Sequence, residues 1–326
     1  MRTIAKQITC AAIIALASTA VMPNMAQAQS YPSQTIRFVT GFPPGSGADV
    51  VTRFVAEQIK QLAKINTLVE NRVGAAGSIA MQTVARSKPD GYTILMSTAT
   101  ATASSMSLYK KPHVDVAREL RIAATINRQG FMIVVDRNSP HKTLKELTAA
   151  LKAKGNKASY GVAATSGIVL GEVYRALIGA PTVQVRFRTA SDSLKEMASG
   201  ALEFASIDPQ VRLSQSRAGN IRILGVSTGE RLKAIPDVPT MKEAGFKDFD
   251  QTGWWAMIVP AATPDSVVEV MDGWMKQVLA KPETVKFFAD AGADAWYLPV
   301  RDAQKRFLEE IVRWGEFLRI ANIEKQ

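Results

Sequence analysis

The sequence holds few of the residues that metal binding and nucleophilic catalysis require. Among 326 residues there are one cysteine, Cys10, and two histidines, His113 and His141. Zinc sites draw on histidine, cysteine and clustered carboxylates, so a zinc site is not expected. Ser46 stands between two glycines rather than in the strained turn that carries a hydrolase nucleophile. We therefore expect no metal centre, no cofactor and no hydrolase activity.

Long apolar runs are also scarce, and the first 28 residues carry an export pattern. Arg2 and Lys6 open this segment, a short and mostly apolar stretch follows, and Ala26-Gln27-Ala28 has the small-residue pattern that signal peptidase reads. We expect residues 1–28 to be a signal peptide, cleaved near Ala28, and the mature protein to be periplasmic. Cleavage removes Cys10, so the mature chain has neither a thiol nor a disulfide.

The chain is basic, but its basic residues are dispersed. Lys and Arg number 40 against 29 Asp and Glu, and removal of Arg2 and Lys6 reduces 40 to 38, a net charge of +9. The longest basic run is the pair Lys110-Lys111, and no nucleic-acid-binding module is recognisable. The charge therefore favours attraction of small anions. No nucleic-acid partner is expected.

Short β-rich runs alternate with segments of helical periodicity along the mature chain. A strand is predicted at Ile36–Thr40, followed by a loop and by a helix whose apolar residues recur at helical spacing. The alternation begins again at residues 131–135, a second strong strand candidate. Strand, helix and strand in succession predict a parallel sheet with helices on its faces. We therefore expect an α/β protein built from two units of similar size.

The loop at residues 41–49 joins the first predicted strand to its helix. Its glycines allow close backbone approach, and the first N–H groups of the helix are available to an anion. A carboxylate site and a plain strand-to-helix turn are both open on this loop alone. A dinucleotide fingerprint is a weaker match, because Val50 occupies the position of the third glycine. No P-loop lysine is present either.

A second loop of the same kind lies in the second unit, at residues 160–167. It also follows a predicted strand and leads into a helix, with Thr165 and Ser166 as its hydroxyl groups. Two such loops, one in each α/β unit, could face each other across a cleft and hold one ligand from both sides. That arrangement is typical of a hinged binding protein.

Several longer stretches resemble a known family of transport receptors. They are PDGYTIL at residues 89–95, VENRVGAAG at residues 69–77 and PDVPTMKEAG at residues 236–245, with further matches at residues 31–49 and 254–264. These stretches resemble the signatures of the Bug family, the substrate-binding proteins of tripartite tricarboxylate transporters. The resemblance covers the whole mature chain.

The resemblance implies a fold and a function. The fold is a two-domain periplasmic binding protein of the type II-like Venus flytrap class, in which two crossing strands join two sheets flanked by helices. One domain comprises residues 29–131 and 253–326, and the other residues 132–252. The implied function is capture of a small organic acid by hinge closure and delivery to an integral membrane permease, without catalysis, by a monomeric protein.

Candidate site residues follow from the same resemblance, residue by residue. In this family the two loops hold a ligand carboxylate through backbone and hydroxyl groups, often with ordered water. In the first loop the matching positions are Phe42, Gly45, Ser46, Gly47 and Asp49. In the second loop they are Ala163, Ala164, Thr165 and Ser166.

This chain departs from the family pattern in ways that concern specificity. It carries Arg186 and Arg188 where relatives have a different motif, and either guanidinium could pair with a carboxylate or remain on the surface. Asp208 follows a predicted strand, and its charge would disfavour a second carboxylate there. Asp49 could contact the ligand or simply complement the dipole of its helix.

Further candidates lie at strand ends. Ser97 and Thr98 offer hydroxyls for the far end of a ligand. Phe131, at the expected crossing between the domains, could pack on an aromatic ring or fill the core. Trp254 and Trp255 are expected to pack near the second crossing, and one ring edge could reach the cleft.

Functions of other classes stay open at this point. One is an exported nucleotide-dependent oxidoreductase that uses the Gly45-Ser46-Gly47 turn, and another is a ligand-sensing module. Among ligands, an aliphatic dicarboxylate, an amino acid and an aromatic carboxylate are all compatible with the sequence.

Overall fold

The computed structural model describes residues 31–163, 165–207, 209, 220–247 and 249–325. The expected signal peptide, residues 1–28, lies outside the described residues. Residues Gln34–Gln326 form one compact unit. Its described strands belong to two sheets. No helix in the described ranges combines the length and the apolar character needed to cross a bilayer.

The first sheet is mixed, and its strands are β1 (Ile36–Thr40), β2 (Thr67–Asn71), β3 (Thr93–Thr98), β4 (Leu120–Gly130), β10 (Thr252–Pro260) and β11 (Asp294–Ala295). Their spatial order is β11-β4-β10-β3-β1-β2. Strand β1 runs parallel to both β2 and β3, whereas β10 is antiparallel to β3 and β4. A helix-connected parallel core with antiparallel additions gives this pattern.

The strands of the second sheet are β5 (Met132–Asp136), β6 (Ser159–Val162), β7 (Val183–Arg186), β8 (Phe204–Ile207) and β9 (Ile221–Val226). Their spatial order is β7-β6-β8-β5-β9. Strand β6 is parallel to β7 and β8, and β5 is antiparallel to β8 and β9.

Helices connect the strands of both sheets, and the longer described ones bury an apolar stripe. In α1 (Gly47–Ala63), for example, Val51, Val55 and Ile59 recur at helical spacing and are buried, and the Ser46 side chain caps the first turn. The described α-helices are α1 (Gly47–Ala63), α2 (Ser78–Ala85), α3 (Ala99–Leu108), α4 (Val116–Glu119), α5 (Leu144–Lys154), α6 (Thr165–Ile178), α7 (Ala190–Ala198), α8 (Asp265–Leu279), α9 (Pro282–Asp290) and α10 (Val300–Ile320).

The chain passes between the sheets twice. Strand β4 of the first sheet is followed, after Phe131, by β5 of the second, and the return leads from β9 to β10. Gly130 makes the first crossing possible, because a Cβ there would lie 2.1 Å from the Val226 side chain. Two α/β units joined by crossing segments are confirmed, whereas the domain limits at residues 131 and 253 stay a prediction.

A polar network ties the C-terminal helix α10 to the second crossing. The indole Nε1 of Trp254, a fully buried side chain, donates to Glu310 Oε1 at 2.8 Å. Arg306 Nε donates to the same oxygen at 3.0 Å, and Arg306 Nη2 donates to Asp250 Oδ2 at 3.2 Å. Because Asp250 lies just before β10, this network fixes the strand against the helix.

Candidate functional site

A cavity of about 300 Å³ lies where elements of both sheets meet. Phe42 in the loop after β1 and Ser166 in the first turn of α6 both contribute to its wall. The two strand-to-helix segments singled out by the sequence therefore share one cavity. The lining residues are Phe42, Thr98, Thr100, Ala101, Ser104, Ser105, Leu108, Tyr109, Gln129, Phe131, Ser166, Pro209, Gly253, Trp255 and Trp314.

Aromatic side chains form much of this wall. Phe131 at the first crossing and Trp255 on β10 are buried, with 4% and 2% of their surface exposed. The rings of Phe42 and Trp255 are tilted by 38°, with centroids 5.6 Å apart. Tyr109 and Trp314 complete the aromatic surface. Such a wall suits an apolar or planar ligand body.

The start of helix α3 also faces the cavity. Thr98 is its N-cap, with Oγ1 accepting from Ala101 N at 3.1 Å, and Thr98, Thr100 and Ala101 all line the wall. Helix α6 begins at Thr165, next to the lining residue Ser166. In α3 the Ala101 N–H is taken by the Thr98 cap, so Ala99 and Thr100 carry the first N–H groups that lack a partner within the helix, and the dipole makes this end positive. Two helix starts at one cavity therefore favour an anion between them.

Other hydroxyls of the wall are already engaged. Ser104 Oγ donates to Ala101 O at 3.1 Å, and Ser105 Oγ donates to Thr102 O at 2.7 Å. These two hydroxyl oxygens can still accept a hydrogen bond, but their protons are already donated. They therefore cannot donate to a carboxylate, which itself only accepts. None of the described lining residues has a charged side chain. The anion-binding character of the cavity is therefore confined to the helix starts and neighbouring polar groups.

Comparison with known proteins assigns the family. The profile described as "Tripartite tricarboxylate transporter family receptor" matches residues 51–323. The chain belongs to this receptor family. This confirms the resemblance carried by the stretches at residues 69–77, 89–95 and 236–245.

Individual relatives match the receptor over nearly its whole length. It is 26% identical to the protein BugT of Bordetella pertussis over 306 residues, which are 93% of this chain and 94% of that protein. The structure of the periplasmic binding protein BugD is 26% identical, has a TM-score of 0.70, and covers 91% of this chain and 100% of its own. A structure described as R. palustris Rpa4515 with adipate is 23% identical at a TM-score of 0.75, with 91% and 100% coverage, and shows the shared fold.

Asp49 of the receptor lies in the first turn of α1, and its carboxylate is hydrogen-bonded to neighbouring residues. Its carboxylate accepts from Gly45 N, Arg53 Nε and Asn71 Nδ2, each at 2.9 Å. The Arg53 guanidinium, helped by Asn71 and Gly45, lowers the pKa of Asp49 to about 2 despite burial. Asp49 is absent from the described wall of the cavity. Its contacts match a supporting role, and a ligand contact stays a prediction.

Asn71 is a supporting residue that the sequence interpretation did not single out. Its Nδ2 donates both to Asp49 and to Phe42 O at 2.9 Å. Asn71 thus links the backbone of Phe42, a cavity-lining residue, to the carboxylate of Asp49 in the first turn of α1. The available signal was its place in the family-like stretch at residues 69–77.

Replacing Asp49 by asparagine tests this supporting role. We expect Asp49→Asn to lower the free energy of unfolding by about 2 kcal/mol at pH 7, because a buried charge-assisted network is lost. The folded-state pKa of Asp49 is lowered, so its stabilisation is present above the usual pKa near 3.8 and is lost as pH falls toward about 2. Urea unfolding at pH 7 and pH 3 should show the difference narrowing in acid. A constant difference would contradict it.

The remaining positions of the first loop serve different purposes. Ser46 Oγ donates to Pro43 O at 2.7 Å and accepts from Asp49 N at 3.3 Å, so the hydroxyl caps helix α1. Gly45 has a φ of +77°, a conformation that favours glycine. Gly47 begins α1. Direct ligand contact by these residues stays a prediction.

The second loop is described in part. Ala163 is half-buried just before α6, and Ser166 O accepts from Gln251 Nε2 at 3.2 Å, which ties the start of α6 to the second crossing. Ala164 and Asp208 lie outside the described residues, as does the side chain of Thr165. Their predicted contacts with a ligand stay predictions.

Arg186 and Arg188 are both exposed, and neither is among the described lining residues. Strand β7, which ends at Arg186, is an edge strand of the second sheet. We expect Arg186→Ala and Arg188→Ala to leave ligand affinity unchanged, as measured by calorimetry. A loss of about 1.5–3 kcal/mol in binding would instead show that the arginine pairs with the ligand.

Ser97 lines a second cavity, of about 360 Å³, that adjoins the first. Phe42 and Ala101 belong to both walls, and the rest of the second wall is mainly apolar, including Val73, Met81 and Leu95. Among the sequence-predicted residues, the structure thus brings together five on the first cavity and places Ser97 on the second; the five are Phe42, Thr98, Phe131, Ser166 and Trp255.

Proposed function

We propose that the receptor captures a small carboxylate in the 300 Å³ cavity and delivers it, chemically unchanged, to the membrane permease of a tripartite transporter. The proposal includes export to the periplasm with cleavage near Ala28, and action as a monomer. The observation that carries it is the joint placement of Phe42, Ser166 and the start of α3 on one cavity.

Capture would proceed in two steps. The carboxylate first meets the first-turn N–H groups of α3 beside the loop that carries Phe42, on the side of the first sheet. Closure about the crossings at Phe131 and residues 227–251 then brings Ser166 and the start of α6 onto the ligand. Ordered water can bridge the remaining gaps nearly as well as direct contacts. The closed form would be the one presented to the permease.

The same proposal holds that the receptor does not catalyse a reaction of its ligand. Among the described residues, no group of three histidine, cysteine, aspartate or glutamate side chains is arranged to hold a metal ion. The described cavity wall offers hydroxyl, amide and aromatic groups rather than an acid–base pair. These groups can orient and hold a ligand, which is what a receptor requires.

Thermal-shift and calorimetric screening of mono- and dicarboxylates tests the proposal. At least one carboxylate should stabilise the purified receptor, since binding to the folded state raises its stability. The matching uncharged amides should give no shift. Native mass spectrometry of freshly purified protein should reveal a bound small acid. A thorough screen without a stabilising carboxylate, or stabilisation by nucleotides instead, would overturn the proposal.

A further inference from the structure

The aromatic wall of the cavity narrows the class of ligand. Given the proposed carboxylate receptor, on which this inference depends, we infer that the ligand is a monocarboxylate with a flat aromatic ring, of the benzoate class. A compact dicarboxylate or tricarboxylate is not what this cavity is built to hold. The inference rests on the wall's shape, its charge and the partners of its hydroxyl groups.

The ring surfaces are held in place by separate parts of the fold. Phe131 is fixed at the first crossing, where its backbone N donates to Ser227 Oγ at 2.9 Å, and Trp255 is fixed within β10 between β3 and β4. Both are almost fully buried, so they present rigid faces. Phe42 lies against Trp255 with a centroid distance of 5.6 Å. Aromatic rings prefer tilted or offset neighbours at such distances, so a ligand ring can join this cluster.

Gly253 keeps space open beside Phe131. A Cβ at this position would lie 3.3 Å from Phe131 Cζ and 3.2 Å from the Gln129 side chain. Gly253, Gln129 and Phe131 all line the cavity. The missing side chain therefore leaves space beside the tip of the Phe131 ring.

The charge of the wall argues against a second carboxylate. No described lining residue carries a cationic side chain. The Ser104 and Ser105 hydroxyls donate to carbonyls of their own helix, so neither has a proton left to donate to a ligand. A carboxylate placed there would be desolvated without a donor, which is strongly unfavourable. The donors in the described wall are the helix starts near Thr98 and Ser166 together with uncharged amide, phenol and indole groups, so the wall has no cation to neutralise a second carboxylate.

A matched set of four ligands tests the inference by calorimetry. Benzoate has both features, cyclohexanecarboxylate replaces the flat ring by a puckered one, adipate adds a second carboxylate, and benzamide lacks the charge. We expect benzoate to bind at least tenfold more tightly than cyclohexanecarboxylate or adipate, and benzamide to show no measurable binding. Binding of adipate as tight as that of benzoate, or tighter, would overturn the inferred class and leave the receptor function intact. Failure of benzoate would overturn the inferred class, and failure of these three carboxylates together with the whole screen of mono- and dicarboxylates would overturn the receptor function itself.

A pair of phenylalanine variants locates the ring contact. Phe131→Leu should reduce benzoate affinity at least tenfold and adipate affinity less than threefold. Phe54→Leu is the matched control, because Phe54 is also a stacked ring but is not among the described lining residues of the cavity. Its ring centroid lies 3.9 Å from that of Phe287. It should leave both affinities unchanged. An equal loss for benzoate and adipate in Phe131→Leu, or no loss for either, would show that the ring contact is absent.

Discussion

Replacing Ala101 by phenylalanine is expected to abolish ligand binding while leaving the receptor folded. Ala101 is exposed on the first turn of α3 and belongs to the walls of both cavities. A phenyl ring at this position would occupy the space in front of the helix N–H groups that are proposed to hold the carboxylate. We expect affinity to fall more than 100-fold by calorimetry.

The stability of Ala101→Phe should change little, because no packed neighbour has to move. Substitutions at exposed sites usually change the free energy of unfolding by about 0.5 kcal/mol or less. Ala153→Phe is the matched control, since Ala153 is exposed on α5 and lies outside the described wall of either cavity. Wild-type affinity in Ala101→Phe would place the ligand elsewhere.

Arg306→Met is expected to be the most destabilising of the single substitutions considered, and its effect should depend on pH. Arg306 donates to Glu310, which is buried, and to Asp250, which is half-buried. Removing one partner of a buried pair costs about 3–5 kcal/mol, because the remaining charge loses its compensation. We expect a loss of this size at pH 8 by urea unfolding.

Glu310 determines the direction of the pH dependence. Burial raises its pKa to about 7 even though Arg306 and the Trp254 N–H act in the opposite direction. Its Oε2 has no hydrogen-bond partner among the described residues. For an acid with a raised folded-state pKa, the stabilisation is complete below the usual value near 4.5 and disappears as pH rises through about 7. The cost of Arg306→Met should therefore be smaller at pH 5 than at pH 8.

Glu310→Gln provides the control for this pH effect. Glutamine keeps one carbonyl acceptor for Trp254 and Arg306 but cannot ionise. Relative to Glu310→Gln, the wild-type receptor should lose about 2–3 kcal/mol of stability between pH 4.5 and pH 8. Burial tends to raise the pKa of Asp250, but Arg306, Thr252 and Arg313 together keep it below its usual value, so Asp250 does not titrate in this window. Parallel stability curves for the two proteins would contradict the role of Glu310.

The sequence predicted the parts of the site that lie next to regular strand-to-helix patterns. The apolar run Ile36–Thr40 and the helical spacing after Ser46 located β1 and α1 and, with them, the loop of Phe42. The same pattern in the second unit located Ser166. The placement of both residues on one cavity agrees with loops that face each other across a cleft.

Helix α3 was not predicted, although its start forms part of the candidate site. Residues Ala99–Leu108 are mainly alanine, threonine and serine, so they show no apolar stripe from which a helix could be recognised. Ser97 and Thr98 were predicted only as hydroxyl groups at a strand end. The structure adds that Thr98 caps a helix.

The aromatic wall could not be assembled from local sequence patterns. Phe42, Tyr109, Phe131 and Trp314 lie on separate elements, and only the fold brings them to one cavity. Phe131 was a candidate because it stands at the crossing, and an edge of Trp254 or Trp255 was a candidate to reach the cleft. For Tyr109 and Trp314, nothing in the neighbouring residues distinguishes a cavity-lining ring from a core ring.

A crystal structure of the receptor with a bound carboxylate tests the central claim most directly. The account predicts carboxylate oxygens within hydrogen-bond distance of the first-turn N–H groups of α3, with Phe42 and Ser166 touching the same ligand from opposite sides. A ligand bound outside this cavity, or one that contacts only the elements of a single sheet, would contradict it.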